Sequence, residues 1–559
     1  MRHSLLLSAA LAVAVLAGCA SPAPMSAAGF QPAAPVRVKV LAINDFHGNL
    51  KPPLGGIRIK DPADPTKTVN VPAGGAEHLA TAVAQLRAKN PNHIFVAAGD
   101  LIGATPLLSA LFRDEPTIES LSLMGLEASA VGNHEFDKGA DELLRLQRGG
   151  CHPVEGCKGP QPFRGAGYQY LAASTLVKAT GLTLLPAYHV KRFEGIPVAF
   201  IGLTLKGTPS IVVPAGVAGL EFRDEAETVN RLVPVLRQQG IEAIVVLIHE
   251  GGVPTGDYNE CPGISGPIVA IVNKLDKAVD AVISGHTHRA YNCRIDGRLV
   301  TSGDRYGTIV TEIDLLLDRA TRDVVSASAD NLIVRTDAYA KEPRQTALIA
   351  AYEALAGPLG KRVVGPLDAA MPRDANRAGE SLLGQVIADA QLAATRVAGA
   401  QIALMNPGGI RAALAQPADG LVRYEDLFAV QPFSNHLVTL TLSGTQLLQL
   451  LEQQWRGQGA SGRLLHVSRG FTYRWDGSRP IGQRVLPGSV LLDGQPIDAA
   501  APYRITVNEF MAGGGDAFVL LKEGRDARTG MLDVDALEAY VKANPRLAPG
   551  LLDRIVRVD

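Results

Sequence analysis

Short apolar runs that end abruptly in a polar residue recur along the first half of the chain, and they constrain the fold more than any other feature. Each run is rich in Val and Ile, and helical patterns such as Ala76–Ala88 and Glu225–Gln238 lie between them. This alternation predicts buried strands in a layered α/β domain, with ligands beyond the carboxyl ends of the strands. The runs are Val36–Ile43, Ile94–Ala98, Ala128–Val131, Ala243–Ile248 and Val279–Ile283.

The residues that follow these runs are of types that bind metal ions. Imidazole and carboxylate together suit Zn, Mn, Fe or Co rather than Ca, and we expect Zn, Mn or Co. Seven ligands exceed the four of one tetrahedral ion, so the set predicts two divalent ions bridged by the carboxylate of Asp100. One ion would take Asp45, His47 and His288, and the other Asn133, His249 and His286.

Taken singly, several of these residues have ordinary structural explanations. Asp45 could cap a helix, Asn133 could lie in a turn with Gly132, and His249 could be a hydrogen-bonded core histidine. The set together favours the dimetal site, because four of only 12 histidines fall in it and His134 makes a fifth at these strand ends.

Four sequence blocks in this region resemble the signature of the calcineurin-like metallophosphoesterases, in the 5'-nucleotidase and UDP-sugar hydrolase branch. They are Asn44-Asp-Phe-His-Gly-Asn49, Gly99-Asp100, Gly132-Asn-His-Glu-Phe-Asp137 and Gly285-His-Thr-His288. The resemblance implies a four-layer α/β/β/α catalytic domain over residues 36–336. It also implies that His134 and Asp137 form a catalytic dyad beside the metals, where an imidazolium held by a carboxylate stabilises charge on the phosphate.

A helical, Ala-rich stretch over residues 337–360 predicts a linking helix, and residues 361–559 a second α/β domain. That domain carries arginines, which suit phosphate, together with aromatic loop residues and a Gly-rich loop. Surface arginines, core phenylalanines and turn glycines are an equally plausible explanation of these residues alone. Resemblance to the C-terminal domain of 5'-nucleotidases implies that three arginines hold phosphate or carboxylate-like groups, three residues hold the base and one holds the ribose. These are Arg373, Arg377 and Arg411 for the anion, Asn406, Phe433 and Phe510 for the base, and Asp516 for the ribose; Pro407 departs from the family pattern.

The first residues are typical of an exported protein. A basic start and an apolar run predict a signal peptide over residues 1–18, and Leu16-Ala-Gly-Cys19 resembles a bacterial lipobox that lipidates Cys19. An ordinary signal peptide with an incidental Cys is the alternative. Residues 19–35, rich in Ala, Pro and Ser, predict a tether to the cell envelope, facing the periplasm. The other cysteines predict disulfides Cys151–Cys157 and Cys261–Cys293, with a structural zinc site as the rival.

The expected function is hydrolysis of nucleoside 5'-monophosphates outside the cytoplasm. A formal net charge of -1 argues against a nucleic acid polymer as partner, and the membrane is expected to be reached through the lipid alone. Hydrolysis of UDP-sugars or 2',3'-cyclic nucleotides on the same scaffold is the first alternative. A thiosulfohydrolase is disfavoured by the paired aromatics, and a non-catalytic nucleoside-binding lipoprotein by the complete ligand set.

Overall fold

Two six-stranded sheets form the centre of the N-terminal half of the molecule. The computed structural model describes residues 34–456, 462–545, 547 and 550–559; the predicted signal peptide and Cys19 lie outside them. The strands of this half are β1 Val36–Ile43, β2 Ile57–Asp61, β3 Asp64–Val71, β4 His93–Ala97, β5 Ala128–Ala130, β6 Gln169–Leu171, β7 Thr175–Val177, β8 Tyr188–Phe193, β9 Ile196–Thr204, β10 Leu220–Phe222, β11 Ala243–His249, β12 Ala281–Ser284, β13 Ala290–Ile295, β14 Arg298–Gly303, β15 Ile309–Leu317 and β16 Val324–Ile333.

The order of strands in the first sheet is β16-β15-β1-β4-β5-β6, and in the second β13-β14-β12-β11-β9-β8. The central strands β1, β4 and β5 run parallel, as do β9, β11 and β12, so their carboxyl ends meet at one edge of each sheet. The helices of this half are α1 Ala76–Ala88, α2 Leu107–Ala110, α3 Glu115–Leu123, α4 Ala140–Arg148, α5 Glu225–Gln238, α6 Pro267–Lys274 and α7 Pro343–Gly360.

Three apolar cores define four layers. One core joins α1 and α3 to the first sheet, a second lies between the two sheets, and a third joins the second sheet to α5 and α6. Strands such as β11 are buried along their whole length because both faces are covered. This arrangement confirms the predicted α/β/β/α fold.

The C-terminal half contains a five-stranded sheet, β21-β18-β25-β20-β26, and a four-stranded sheet, β24-β23-β22-β27, while β17 pairs with β19. Helix α8 packs on β18, and α12 packs on α8. The elements are β17 Val363–Pro366, α8 Leu382–Thr395, β18 Ile402–Met405, β19 Leu421–Arg423, α9 Tyr424–Val430, β20 His436–Ser443, α10 Gly444–Glu452, β21 His466–Val467, β22 Phe471–Trp475, β23 Leu491–Leu492, β24 Gln495–Pro496, β25 Pro502–Asn508, α11 Glu509–Ala512, β26 Arg525–Leu532, α12 Asp533–Ala543 and β27 Ile555–Arg557.

The linking helix α7 begins later than its Ala-rich pattern suggests. It starts at Pro343, where Glu342 caps it by accepting the backbone N–H of Gln345, because proline fits the first turn of a helix. It also packs against the N-terminal half, where the Ser120 hydroxyl donates to the Gln345 side chain.

Both predicted disulfides form, Cys151–Cys157 and Cys261–Cys293. Over the described residues, helices that combine the length and apolarity of a membrane span are absent.

Candidate metal centre and substrate cavity

The turns that follow the central strands have an unusual backbone conformation. Asp45, His47, Asp100, His286 and His288 all have positive φ, between 44° and 71°. Such values are costly for residues with a side chain and persist where the surroundings enforce them, often at functional sites. The consequence here is that side chains from separate strands turn toward one point.

Glycine is required where these turns approach one another. A Cβ on Gly132 would lie 2.2 Å from the Oδ1 atom of Asp100, and one on Gly99 would lie 2.8 Å from Nδ1 of His249. Larger residues at either position would therefore displace candidate metal ligands.

The first ligand group consists of Asp45, His47 and His288. Nε2 of His288 lies 3.1 Å from Nε2 of His47 and 3.2 Å from Oδ1 of Asp45. Asp45 and His47 are fully buried, and Asn44 donates a hydrogen bond to Oδ2 of Asp45 at 2.7 Å. The three donor atoms face a common point, as one cation requires.

The second ligand group consists of Asp100, His249 and His286. Oδ2 of Asp100 lies 2.9 Å from Nε2 of His249 and also 3.7 Å from Nε2 of His47 in the first group. Its other oxygen, Oδ1, accepts the backbone N–H of His134 at 2.9 Å. One oxygen of Asp100 thus faces both groups, which is the position that a bridging ligand occupies.

The donor set fits two transition-metal ions. Nδ1 of His47 donates to the carbonyl of Gly103 at 2.8 Å, and Nδ1 of His249 donates to that of Ala98 at 2.7 Å. These bonds leave each Nε2 with its lone pair toward the site, as in metal-bound histidines. Among the described residues, Nε2 of His249 and Oδ1 of Asn133 are buried without a hydrogen-bond partner.

Electrostatics at Asp100 also favour a cation. Burial lowers the pKa of His249, but attraction to Asp100 outweighs it and raises that pKa to about 10. The carboxylate therefore stabilises positive charge at this point.

His134 and Asp137 form a pair beside the two groups. Nδ1 of His134 lies 2.8 Å from Oδ2 of Asp137, and the two lie within one turn that begins at residue 134. Burial lowers the pKa of His134, but attraction to Asp137 and then to Asp100 outweighs it, so the pKa is raised. The ring is thus oriented and held toward its protonated form.

A cavity of about 560 Å³ connects this centre to the C-terminal half. Its lining includes Asn133 and His134 on one side and Arg411, Phe433, Phe510 and Asp516 on the other. The rings of His134 and Phe433 stack with centroids 5.8 Å apart, and the Arg411 guanidinium lies 5.9 Å from the Phe433 ring.

Asp516 is the centre of a polar network in this cavity. Its Oδ2 accepts a hydrogen bond from Asn406 at 2.7 Å, and it forms an ion pair with Arg463. Asn508 donates to Oδ1 of Asn406 at 2.9 Å. Two predicted substrate residues, Asn406 and Asp516, are therefore joined directly.

The remaining two arginines of the predicted set lie elsewhere. Arg373 lines a second cavity of about 590 Å³, which also includes Arg411. Arg377 lines neither of these but a third cavity, of about 450 Å³, which it shares with Arg373 and Trp475. Arg377 thus lines neither of the two cavities that Arg411 lines.

Sequence reasoning missed several residues of the site. Glu135 accepts the backbone N–H groups of Asp100, Leu101 and Gly132 and so ties two strand-end turns together. Glu135 lies within the block Gly132–Asp137 that resembles the metallophosphoesterase signature, so the sequence could have identified it as a site residue. Arg463, which pairs with Asp516, and Arg305, whose Nη1 lies 3.5 Å from Nδ1 of His288, lie outside every motif quoted above, so the sequence carried no signal for them.

Comparisons with known proteins agree with this geometry. The family model of calcineurin-like phosphoesterases matches residues 38–290, and that of the 5'-nucleotidase C-terminal domain matches residues 362–523. The chain is 34% identical over 512 residues to Endonuclease YhcR of Bacillus subtilis, covering 91% of this chain and 40% of that one. It is 30% identical over 540 residues to the cell wall protein Lmo0130 of Listeria monocytogenes, covering 91% and 67%.

Among solved structures, the 5'-nucleotidase precursor from Thermus thermophilus superposes with a TM-score of 0.76 at 27% identity. That match covers 94% of this chain and all of the other. Given the order of the two family models and these relatives, the chain belongs to the 5'-nucleotidase family of calcineurin-like metallophosphoesterases.

Proposed function

We propose that this protein hydrolyses nucleoside 5'-monophosphates to nucleoside and phosphate, with two divalent cations bound at the strand ends. The observation that carries the proposal is the shared cavity in which the candidate metal centre meets Phe433, Phe510 and Asp516. A phosphate bound at the metal centre would therefore have a pocket for its nucleoside beside it.

When bound, two such cations supply a hydroxide at neutral pH and positive charge for the reacting oxygens. Asp45, His47 and His288 would hold one, Asn133, His249 and His286 the other, and Asp100 both. His134, oriented by Asp137, donates a charge-assisted hydrogen bond to the phosphate or to the leaving 5'-oxygen, where negative charge increases during the reaction.

In this proposal the C-terminal half recognises the phosphate, base and ribose of the substrate. Arg411 lies between the first two cavities and suits the phosphate oxygens, since a guanidinium offers paired donors. Phe433 and Phe510 provide faces for the base, with Asn406 beside them, and the Asp516 carboxylate can accept bonds from ribose hydroxyls. Arg373 supports the phosphate from the second cavity. The proposed division is a catalytic domain over residues 36–336, a linking helix over 337–360 and a nucleotide domain over 361–559.

We also propose that the protein is exported and held to the envelope by a lipid on Cys19. The motif at Leu16–Cys19 supports this, and the Listeria relative is named a cell wall protein. Changing Cys19 to Ser should move the protein from the membrane fraction to the soluble fraction with turnover intact. A wild-type protein that mass spectrometry finds unlipidated would contradict the anchor.

The activity is tested with metal-reconstituted protein and a panel of substrates, comprising AMP, UMP, UDP-glucose, 2',3'-cyclic AMP and p-nitrophenyl phosphate. We expect phosphate release from the 5'-monophosphates, abolished by a chelator and restored by Zn, Mn or Co. Turnover of the cyclic nucleotide with no turnover of AMP would contradict the proposal.

A further inference from the structure

The linking helix α7 has an exposed face that carries no charge. A helix at the surface of a protein normally has charged residues on its outer side, as α5 does with Arg231 and Arg237. Between Arg344 and Lys361, helix α7 contains a single charged residue, Glu353. The residues of its exposed side, called here the outer face of α7, are Ala347, Ala350, Ala351, Ala354, Leu355, Pro358 and Leu359.

The outer face is one continuous stripe along the helix. Its residues follow one another at spacings of one, three and four, which places them on the same side of an α-helix. Leu355 and Leu359 are 52% and 39% exposed, and Val363, just beyond the helix, is 48% exposed. Within the ranges that the structure describes, no element covers these side chains. A contiguous exposed apolar patch of this kind marks a surface that binds a partner.

The opposite side of α7 is packed against the rest of the molecule. Ile349 lies in the core of the N-terminal half, and the buried Tyr352 donates a hydrogen bond to Glu119 at 3.0 Å. The acidic Glu353 and Glu425 line the second cavity, away from the outer face. Most of the helix is thus apolar, but only one side of it is packed against other described residues.

Basic residues lie at both ends of the outer face. Arg344 precedes it, and its side chain is 68% exposed, whereas the carboxylate partner Glu342 is 18% exposed. Arg362 follows it and is 39% exposed, against 11% for its partner Glu538. Lys361 forms no ion pair with any residue that the structure describes. The charge that reaches solvent at both ends is therefore positive.

These charges distinguish between partners for the outer face. With a rise of 1.5 Å per residue, Arg344 and Lys361 are about 25 Å apart along the helix. In a symmetric pair of α7 helices, basic ends would meet basic ends whichever way the helices run, and like charges oppose such a contact. An anionic lipid surface attracts both ends, while the apolar residues between them enter the headgroup region.

We propose that the outer face of α7 binds an anionic lipid bilayer, with the helix lying in the plane of the headgroups. The predicted tether, residues 19–35, leads directly into β1 and would bring the body of the protein to the same membrane. The contact is separate from the proposed hydrolysis and adds to the lipid on Cys19. One interfacial helix binds weakly and reversibly, so the Cys19→Ser protein still leaves the membrane fraction.

Co-sedimentation of the full chain carrying Cys19→Ser with vesicles measures this contact without the lipid. The vesicles consist of phosphatidylcholine alone, or of equal parts phosphatidylcholine and phosphatidylglycerol. We expect binding to the anionic vesicles only, weakened by salt. Changing Leu355 and Leu359 together to Glu should reduce binding about tenfold or more, because apolar burial is replaced by repulsion. Arg344→Gln and Lys361→Gln should each reduce it about fivefold.

Helix α5 provides matched controls on another exposed helix. Val235 is 42% exposed and Arg231 is 60% exposed there. Val235→Glu and Arg231→Gln should bind the anionic vesicles as the Cys19→Ser parent does. Circular dichroism and AMP turnover in solution should be the same for all variants, because none of these side chains lies in the proposed site.

Failure of the parent to bind anionic vesicles, equal binding to both kinds of vesicle, or unchanged binding in the α7 variants would each overturn the proposal. A mass in sedimentation that rises with protein concentration, and that Leu355→Glu returns to the monomer, would assign the outer face to a second copy instead. Absence of AMP hydrolysis would refute the proposed function alone, because vesicle binding is measured without turnover.

Discussion

The two halves of this protein present their site residues in contrasting ways. Asp45, His47, Asp100 and His249 of the candidate metal centre have at most 1% of their surface exposed and lie at or shortly after the ends of buried strands. In the C-terminal half, Arg373 and Arg377 are exposed, and Arg411, Phe433 and Phe510 are partly exposed. The N-terminal half thus holds these residues at buried strand ends, whereas the C-terminal half combines the buried Asn406 and Asp516 with partly or fully exposed side chains.

This contrast matches the proposed division of roles, in which the N-terminal half carries out the chemistry and the C-terminal half recognises the substrate. Metal coordination and charge stabilisation need donor atoms fixed before the substrate arrives, and buried strand ends provide that. Recognition of different bases or substituents tolerates looser side chains that adjust to the ligand. Changes in the N-terminal half should therefore affect every substrate. Changes in the C-terminal half should affect only some of them, except at Phe433, whose ring stacks on His134.

The largest effect is expected from Asp100→Ala. Its Oδ2 faces both ligand groups, so the variant should lose metal and turnover together, with metal affinity reduced more than about 10²-fold. Metal content by mass spectrometry and AMP turnover are the measurements, and circular dichroism checks the fold. Two retained metals with near-normal turnover would remove Asp100 from the bridging position.

The next effect is expected from His134→Ala. This side chain belongs to neither ligand group, so both metals should remain while kcat falls roughly 10²-fold, as for a lost charge-stabilising or proton-transfer group. KM for AMP should change little, because the interaction is made mainly in the transition state. Loss of a metal from this variant would instead make His134 a ligand.

A smaller and more selective effect is expected from Phe510→Ala. Loss of one stacking face should raise KM for AMP by about tenfold, since stacking on an aromatic is worth ~1–3 kcal/mol per base. KM for p-nitrophenyl phosphate, which has no base, should stay near the wild-type value.

Phe433→Ala is the matched comparison. Its ring stacks on His134, so its loss should reduce kcat for both substrates. If Phe510→Ala lost activity equally on AMP and on p-nitrophenyl phosphate, the proposed separation of roles between the two halves would be wrong.

The smallest effect on turnover is expected from Asp280, which contributes to stability instead. Burial raises the pKa of Asp280 from 3.8 to about 8, although its carboxylate accepts the backbone N–H of Ile244. Between these values the folded protein binds a proton that the unfolded chain does not, so stability from this group falls as pH rises.

Asp280→Asn should remove that dependence. Its Tm relative to wild type should rise between pH 5 and pH 8.5, with KM for AMP unchanged. The exposed Asp553→Asn serves as control. The same Tm difference at both pH values would show that Asp280 is already ionised in the folded protein at pH 5.

The sequence by itself determined most of the N-terminal half, which contains the candidate metal centre. Strand β1 and helices α1 and α5 have the predicted bounds. The structure gathers six of the seven predicted ligands in two groups and places Asn133 in the lining of the adjoining cavity, although their binding of metal stays a prediction. This was possible because parallel strands, read from local apolar runs, place their carboxyl ends together whatever the rest of the chain does.

Only the tertiary structure decided how the second half meets the first. It placed Phe433 on His134, Arg377 in a separate cavity, and Arg305 in one cavity with Arg373 and Arg411. These residues lie on turns and loops far apart in the chain. No local periodicity encodes where such turns meet, because their contacts depend on the packing of whole elements between them.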